Sequence, residues 1–253
     1  MRVVIDRGEV RELLTRHPGR HLLAIGDLDD AFWPHTRFIH GWGQTLLLYS
    51  GLQTPVVLAV ADPPTESMGS LVTSFLRELP DRFYGHLSEE AAEALRPHFT
   101  LDVHGVLAYM SVKPATVPEP REPIVTIGTA DLAEIQALQQ AANPDGGFFE
   151  PQMLHAGPYL GIRRDGELVA MAGTHTWSAA EKVAVLGNIA THPAHRRRGL
   201  AGAVTAALCA RLSGAVDVVG LTVDVDNTPA IRCYTRLGFT EDVRVIGARC
   251  ARN

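Results

Sequence analysis

Short apolar runs in the second half of the chain predict a series of β-strands. They are rich in β-branched or aromatic residues and are bounded by Gly, Pro, Asn or Asp, which is typical of strands. The runs are Ile124–Gly128, Tyr159–Arg164, Glu167–Thr176, Val183–Thr191, Val216–Asp224 and Glu241–Ala248. Arg164-Asp165-Gly166 lies between the second and third runs and predicts a hairpin turn.

Apolar residues at helical spacing fall between these strands. One predicted helix covers Gly199–Ser213, and its buried face is Leu200, Val204, Leu208 and Leu212. A second helix is predicted over Ala130–Ala142, capped near Asp131, before a loop at Asn143–Gly147. A short third helix begins at Thr228-Pro229 and ends at Gly238. Because strands and helices alternate, the pattern predicts an α/β domain.

The first half of the chain repeats the later part of this order. Its predicted strands are Thr45–Ser50, Val56–Ala61, Arg82–Gly85 and Phe99–Ser111, and its predicted helices are Glu66–Leu79 and Ser88–Arg96. The order matches that of residues 183–248, which indicates either a duplicated fold or a chance repeat. The turn Asp62–Ser67, which corresponds to the turn after Val183–Thr191, is acidic and lacks an arginine cluster.

A proline-rich segment separates the two halves. Lys113–Pro123 contains four prolines in eleven residues, and proline favours an extended backbone without N–H donors. We therefore predict an N-terminal lobe over residues 1–113, a linker over 114–123 and a C-terminal domain over 124–253.

Charge and composition narrow the class of partner. The net charge is −5; residues 1–113 contain ten basic and fourteen acidic side chains, and residues 124–253 contain twelve of each. Neither part is broadly basic, which argues against nucleic acid as a partner.

The longest apolar runs, such as Pro55–Ala61, are too short to cross a bilayer, and charged residues near the N-terminus interrupt any signal peptide. We expect a cytoplasmic protein with no membrane contact.

The cysteines and histidines do not suggest a metal centre. Cys209, Cys233 and Cys250 are odd in number and have no CxxC spacing, so neither a disulfide framework nor a zinc site is indicated. His192 and His195 are three residues apart but have no third ligand nearby. We expect no metal.

The most informative turn lies between the strand Val183–Thr191 and the helix Gly199–Ser213. It contains Arg196, Arg197, Arg198, Gly199 and Gly202. The first N–H groups of a helix have no intrahelical partner, and the helix dipole is positive at that end. A strand, a basic glycine-containing turn and a helix therefore predict an anion site, which in a neutral domain favours a small phosphorylated ligand.

Two motifs carry a resemblance to a known family. Arg196-x-x-Gly199-x-Ala201 is similar to the Gln/Arg-x-x-Gly-x-Gly/Ala signature of the GCN5-related N-acetyltransferases (GNAT), and Asn227, Tyr234 and Leu237-Gly238-Phe239 resemble that family's second segment. The overall layout resembles the FR47-like, glycine N-acyltransferase-like branch. The resemblance implies a GNAT fold, in which a mixed sheet splays between two central strands with flanking helices. A degenerate GNAT-like N-terminal lobe would precede it.

The resemblance also implies the residues that hold the acyl-CoA. The pyrophosphate would lie on the turn, through the backbone of Arg197 to Gly202 and the charges of the three arginines. The pantetheine would run along the end of the preceding strand, and Asn227 and Tyr234 would complete the site. The implied contacts are Ile189, Ala190, Thr191, Arg196, Arg197, Arg198, Gly199, Leu200, Ala201, Gly202, Asn227 and Tyr234.

The sequence indicates the catalytic groups less completely than the contacts with acyl-CoA. By resemblance, Tyr234 is the general acid that protonates the CoA thiolate. Many members of the family have a Glu on the central strand, but Val183–Ile189 contains none. Glu150 is the base that we name, while His175, His192 and a water held by Asn188 stay open as alternatives.

The expected activity is an acyl-CoA-dependent N-acyltransfer. Acetyl-CoA would donate its acetyl group to a primary amine, either a small amine or an amino acid, by direct attack. A CoA-binding regulatory module without catalysis and a protein-directed acetyltransferase stay open. The N-terminal lobe is expected to shape the acceptor pocket or to mediate homodimerisation.

Overall fold

The first half contains the predicted strands and helices, in a computed structural model that describes residues 2–144, 149–155 and 157–253. The described residues before Gln44 also contain two strands and two helices that the sequence did not predict. The strands are β1 (Arg2–Val4), β2 (Thr36–Gly41), β3 (Gln44–Tyr49), β4 (Val56–Ala59), β5 (Arg82–Leu87) and β6 (Phe99–Val112). The helices are α1 (Arg7–Leu14), α2 (Pro18–Gly26), α3 (Ser67–Phe75) and α4 (Glu89–Leu95). Ser88 caps α4, because its hydroxyl accepts a hydrogen bond from Ala91 N–H at 3.3 Å.

The second half matches the predicted order of strands and helices. Its strands are β7 (Val125–Ile127), β8 (Tyr159–Arg164), β9 (Glu167–Ser178), β10 (Val183–Thr191), β11 (Val218–Asp224) and β12 (Thr240–Arg252). Its helices are α5 (Leu132–Ala142), α6 (Leu200–Leu212) and α7 (Thr228–Arg236). The predicted hairpin joins β8 to β9, and Asp165 and Gly166 both have positive φ there, as a two-residue hairpin turn requires. Part of the predicted loop Asn143–Gly147 lies outside the described residues.

The chain forms two compact units whose boundaries differ from the predicted ones at residues 113 and 124. One contains Met1–Tyr109, Val223–Asn227 and Glu241–Asn253, and the other contains Met110–Thr222 and Thr228–Thr240. The C-terminal segment therefore belongs to the first unit, because β12 pairs with β5 over Ile246–Ala251. The proline-rich linker belongs to the second unit and begins with a 3-10 turn, Pro114–Thr116, in which Pro114 is buried.

The first unit is a mixed sheet covered by helices. β1, β2, β3 and β4 pair antiparallel in that order, β4 pairs parallel with β5, and β12 pairs antiparallel with β5. One core packs α3 and α4 against the sheet, with Phe75, Phe83 and Phe99 among its largest buried side chains. Short helices and strands are marginally stable alone, and here the apolar face of each packs against the others in one core.

The second unit repeats the same pairing pattern. β7, β8, β9 and β10 pair antiparallel in that order, and β10 pairs parallel with β11. The β10–β11 ladder ends at Leu186 and Leu221, so β10 continues for five more residues without a ladder on that edge. This confirms the mixed α/β fold with a sheet that splays between two central strands. None of the described helices is long and apolar enough to cross a membrane.

Candidate active site

The turn from β10 into α6 is built from residues in left-handed conformations. Arg197 has φ 62° and Gly199, the N-cap of α6, has φ 78° and ψ 3°. Glycine adopts this conformation without a steric penalty, whereas arginine does so at some cost. His192 stabilises the preceding 3-10 turn, because its Nδ1 accepts a hydrogen bond from Ala194 N–H at 3.3 Å.

The N-terminus of α6 has the donors that an anion needs. The first bond to Gly199 O comes from Ala203 N–H, at 3.0 Å, so the N–H groups of Leu200, Ala201 and Gly202 precede the helical ladder. A Cβ placed on Gly199 would meet no atom within 4 Å, so the space above the turn is open. These features fit a pyrophosphate against the helix N-terminus.

The three arginines of the turn do not have one role. The Arg196 guanidinium donates to Ala142 O at 2.8 Å and to Thr191 O at 3.4 Å, so it ties the end of β10 to the C-terminus of α5. The prediction that its charge also acts on the cofactor stays a prediction. Arg197 and Arg198 are exposed and form no ion pair within the described part of the chain. The free positive charge of the turn therefore belongs to Arg197 and Arg198.

The end of β10 carries a bulge at the predicted pantetheine contacts. The register against β9 shifts between Gly187 and Ala190, and Asn188 has φ 53°. Ala190 and Thr191 then pair again with β9, whereas Ile189 lies inside the bulge. A bulge changes the direction of the backbone N–H and C=O groups locally. Here the bulge lies on β10, and the edge of β10 that faces β11 forms no ladder beyond Leu186.

In addition to His175 of β9, side chains from several elements contact the bulge residue Asn188. Its Nδ2 donates to Tyr159 Oη at 2.9 Å and lies 3.6 Å from Met153 Sδ, and its carbonyl oxygen accepts from Gln139 Nε2 at 3.3 Å. Sequence reasoning missed Tyr159, Gln139 and Met153, which come from β8, α5 and the 3-10 segment Pro151–His155. No spacing rule links these positions. The small Gly173, which leaves room for the Tyr159 ring, is the only signal nearby.

His175 is a weaker base than an ordinary histidine. Burial lowers its pKa to about 4, and a hydrogen bond with the Asn188 side chain opposes that shift. The ring packs over Gly187, where a Cβ would collide with it. The imidazole is therefore neutral at pH 7 and holds an abstracted proton poorly.

Glu150 lies close in the chain to a residue that contacts the bulge. Its carbonyl oxygen accepts from Met153 N–H at 2.9 Å, and its carboxylate accepts a hydrogen bond from Gln152. Residues 145–148, which precede it, lie outside the described residues. The carboxylate is half-buried, so it is neither deeply buried nor fully solvated.

Tyr234 is buried on α7 beside the end of that helix. It is 7% exposed, and its ring centroid lies 6.0 Å from that of Phe239. Burial, with a smaller contribution from Cys233, raises the pKa of Tyr234 well above its ordinary value, so the phenol stays protonated through the neutral range. Gly238, at φ 94°, ends the helix as predicted.

The two helices of the candidate site touch at small residues. A Cβ on Gly202 of α6 would lie 3.1 Å from Cys233 Sγ of α7, so glycine permits this close approach. Asn227, the remaining predicted contact, lies in the turn after β11 and donates its N–H to Asp224 O at 3.0 Å.

The corresponding turn of the first unit is closed by its own side chains. The Gln44 amide donates to Asp62 O and Pro64 O and accepts from Asp62 N–H, all at 2.8–2.9 Å. The Asp62 carboxylate lies 3.0 Å from Nε2 of the buried His21. The backbone of this turn is thus paired within the protein, in contrast to the open turn before α6.

Metal ligands are not grouped in the described part of the chain. No set of three or more His, Cys, Asp or Glu side chains there is arranged to hold a metal ion.

Comparison with known families finds a match in the second half of the chain. Residues 129–239 match the acetyltransferase (GNAT) family model. This part of the chain is therefore similar to the GNAT family of acetyltransferases.

Solved structures extend the likeness to nearly the whole chain. A protein of the GNAT family from Novosphingobium aromaticivorans is 25% identical, with a TM-score of 0.60, over 82% of this chain and 88% of that one. A Drosophila protein is 16% identical, with a TM-score of 0.71, over 98% and 97%. A tandem GNAT protein from the clavulanic acid biosynthesis pathway is 15% identical, with a TM-score of 0.53, over 99% and 98%. No curated protein matches the sequence.

Proposed function

We propose that this protein is an N-acetyltransferase that moves the acetyl group of acetyl-CoA to a primary amine, either a small amine or an amino acid. The observation that carries the proposal is the open N-terminus of α6, which follows directly after the bulged and partly unpaired end of β10. The N–H groups of the turn suit the pyrophosphate, and the open strand edge suits the amides of pantetheine.

Direct attack by the amine is favoured over an acyl-enzyme. In this reaction the amine nitrogen forms a bond to the thioester carbon, and the carbon–sulfur bond then breaks. An acyl-enzyme would need an activated cysteine, but burial raises the pKa of Cys209 to about 12 and also raises the pKa of Cys233. Neither thiol is an effective nucleophile at neutral pH.

Tyr234 is the proposed donor to the leaving thiolate. Its raised pKa keeps the hydroxyl protonated in the neutral range, so it can donate a hydrogen bond to the leaving sulfur. Full proton transfer to a thiolate is unfavourable, because the pKa of an ordinary thiol is about 8.5. A partial proton transfer or a strong hydrogen bond would stabilise the sulfur as the bond breaks.

Glu150 is the proposed acceptor of the proton from the attacking amine. A carboxylate is charged at pH 7 and can receive the proton directly or through one water. His175 is less suitable because its pKa is about 4, and His192 already uses Nδ1 to accept a backbone hydrogen bond.

The first unit is proposed to be a second GNAT-like lobe that binds no acyl-CoA. Its strand pairing repeats that of the second unit, but Gln44 and Asp62 close the turn where a cofactor would bind. The tandem GNAT protein, which covers nearly the whole chain, supports this proposal. The FR47-like, glycine N-acyltransferase-like branch stays a proposal that rests on the layout of the sequence.

The test is acetyl transfer to a panel of amines and amino acids, followed as free thiol release and as mass gain of the acceptor. We expect turnover with at least one small amine. The Tyr234→Phe variant should lose about a hundredfold in kcat, as expected for a general acid, with little change in acetyl-CoA affinity.

The alternatives predict different results in the same assay. CoA binding without turnover on any small or peptide acceptor would contradict the proposal and favour a regulatory module. Turnover on lysine peptides alone would favour a protein-directed acetyltransferase. An unchanged kcat in Tyr234→Phe across the pH range would remove Tyr234 from the mechanism.

A further inference from the structure

Asn188 is held in a conformation that most residues avoid. Its φ of 53° is left-handed, which asparagine tolerates better than other non-glycine residues but does not prefer. The residue lies at the bulge of β10, between Gly187 and the predicted pantetheine contacts Ile189 and Ala190. Any group that fixes Asn188 therefore fixes the backbone of this bulge.

Tyr159 is a rigid partner for the Asn188 side chain. Its ring is buried and lies over Gly173 of β9, where a Cβ would collide with it. The hydroxyl accepts from Asn188 Nδ2 at 2.9 Å and reaches Thr174 O at 3.5 Å. Because the ring cannot move far in this packing, the hydroxyl is presented to Asn188 in one place.

Gln139 holds the same residue from another element. It is buried on α5, and its Nε2 donates to the Asn188 carbonyl oxygen at 3.3 Å. Tyr159 thus fixes the side chain of Asn188, while Gln139 fixes its backbone. The two contacts together restrain both the φ angle and the direction of the following peptide.

We propose that Tyr159 and Gln139 are positioning residues for acyl transfer, which act by clamping Asn188 so that the β10 bulge presents its backbone to the thioester. This inference rests on the proposed function. Donors that are fixed before the reaction stabilise developing negative charge without reorganisation, so the clamp acts on the transition state more than on substrate binding.

The expected effect is a loss in kcat with little change in the KM for acetyl-CoA. Tyr159→Phe keeps the ring over Gly173 and removes only the hydroxyl. It should lower kcat about tenfold, the size expected when one positioning hydrogen bond is lost. Gln139→Met keeps the side-chain length and removes the amide, and should have an effect in the same direction.

The matched control is Tyr109→Phe in the first unit. Tyr109 is also buried, and its hydroxyl hydrogen-bonds to His86. This variant makes the same chemical change at a buried hydroxyl, so it shows the general effect on stability. It should leave both kcat and the bulge unchanged.

Amide hydrogen exchange at residues 188–190 tests the clamp without any need for turnover. Support requires faster exchange at these amides in Tyr159→Phe and Gln139→Met, a lower kcat and a CoA affinity within about twofold of the unmodified protein. Unchanged exchange in both variants would overturn the proposal, as would an equal change in Tyr109→Phe. If the unmodified protein transfers no acetyl group, the proposed function fails, and the exchange data alone decide whether the clamp exists.

Discussion

At the residue scale, burial decides the protonation state of the side chains near the bulge. His175 has its pKa lowered to about 4, from an ordinary value of 6.5. Between those two values the unfolded chain binds more protons than the folded protein, so the free energy of unfolding decreases as pH falls through this window. A shift of this size corresponds to about 3 kcal/mol.

The His175→Gln variant should therefore have a flatter dependence of stability on pH. Glutamine does not titrate, so the loss of stability between pH 6.5 and 4 should shrink by about 1–3 kcal/mol. Urea unfolding at several pH values measures it. The same substitution at the exposed His98 is the control for the general effect of replacing a histidine by glutamine. An identical slope in His175→Gln and the unmodified protein would contradict burial of a neutral imidazole.

At the element scale, the two ends of α6 offer a matched comparison. Gly199 at the N-terminus has φ 78°, Gly214 just after the C-terminus has φ 85°, and a Cβ on either would meet no atom within 4 Å. Alanine is strained at both positions to a similar degree, by about 1–2 kcal/mol. The difference between the two positions that matters here is that Gly199 precedes the helix N-terminus, whereas Gly214 follows the C-terminus.

Gly199→Ala should weaken CoA binding about tenfold, because a change in φ at the N-cap re-aims the N–H groups of residues 200–202. Gly214→Ala should lose similar stability yet bind CoA as the unmodified protein does. Calorimetric titration with CoA and thermal unfolding measure the two effects. Equal CoA affinity in both variants would argue against an anion site at this helix terminus.

Local patterns were enough to predict the elements but not their partners. The bounds of β8 and β10 and the bulk of α6 follow from apolar periodicity and turn residues. The bulge at Asn188 does not, because a left-handed asparagine inside a strand leaves no mark in a periodic pattern. The hydrogen bond from the Arg196 guanidinium to Ala142 O does not follow either, because the two residues are more than fifty positions apart and no local pattern links them.

At the scale of the whole molecule, the chain does not divide at one point. The linker leads into the second unit, but β12 returns to the first unit and pairs with β5. Ile246, Ala248 and Cys250 of β12 are buried in the core that includes Phe83. A cut at the proline-rich segment, which the sequence favours, therefore separates β12 from the strand and core that it needs.

A fragment of residues 121–253 should consequently self-associate or unfold without cooperativity. It retains β12 without β5, and so exposes an unpaired strand edge together with the apolar side chains of Ile246, Ala248 and Cys250.

A fragment of residues 110–240 is the matched comparison, because it contains the whole second unit and stops before most of β12. This fragment should bind CoA within about threefold of the full chain, since the turn before α6 is intact. Light scattering, thermal unfolding and CoA titration separate the two fragments. A monomeric, cooperatively unfolding 121–253 beside an unfolded 110–240 would show that β12 is needed by the second unit.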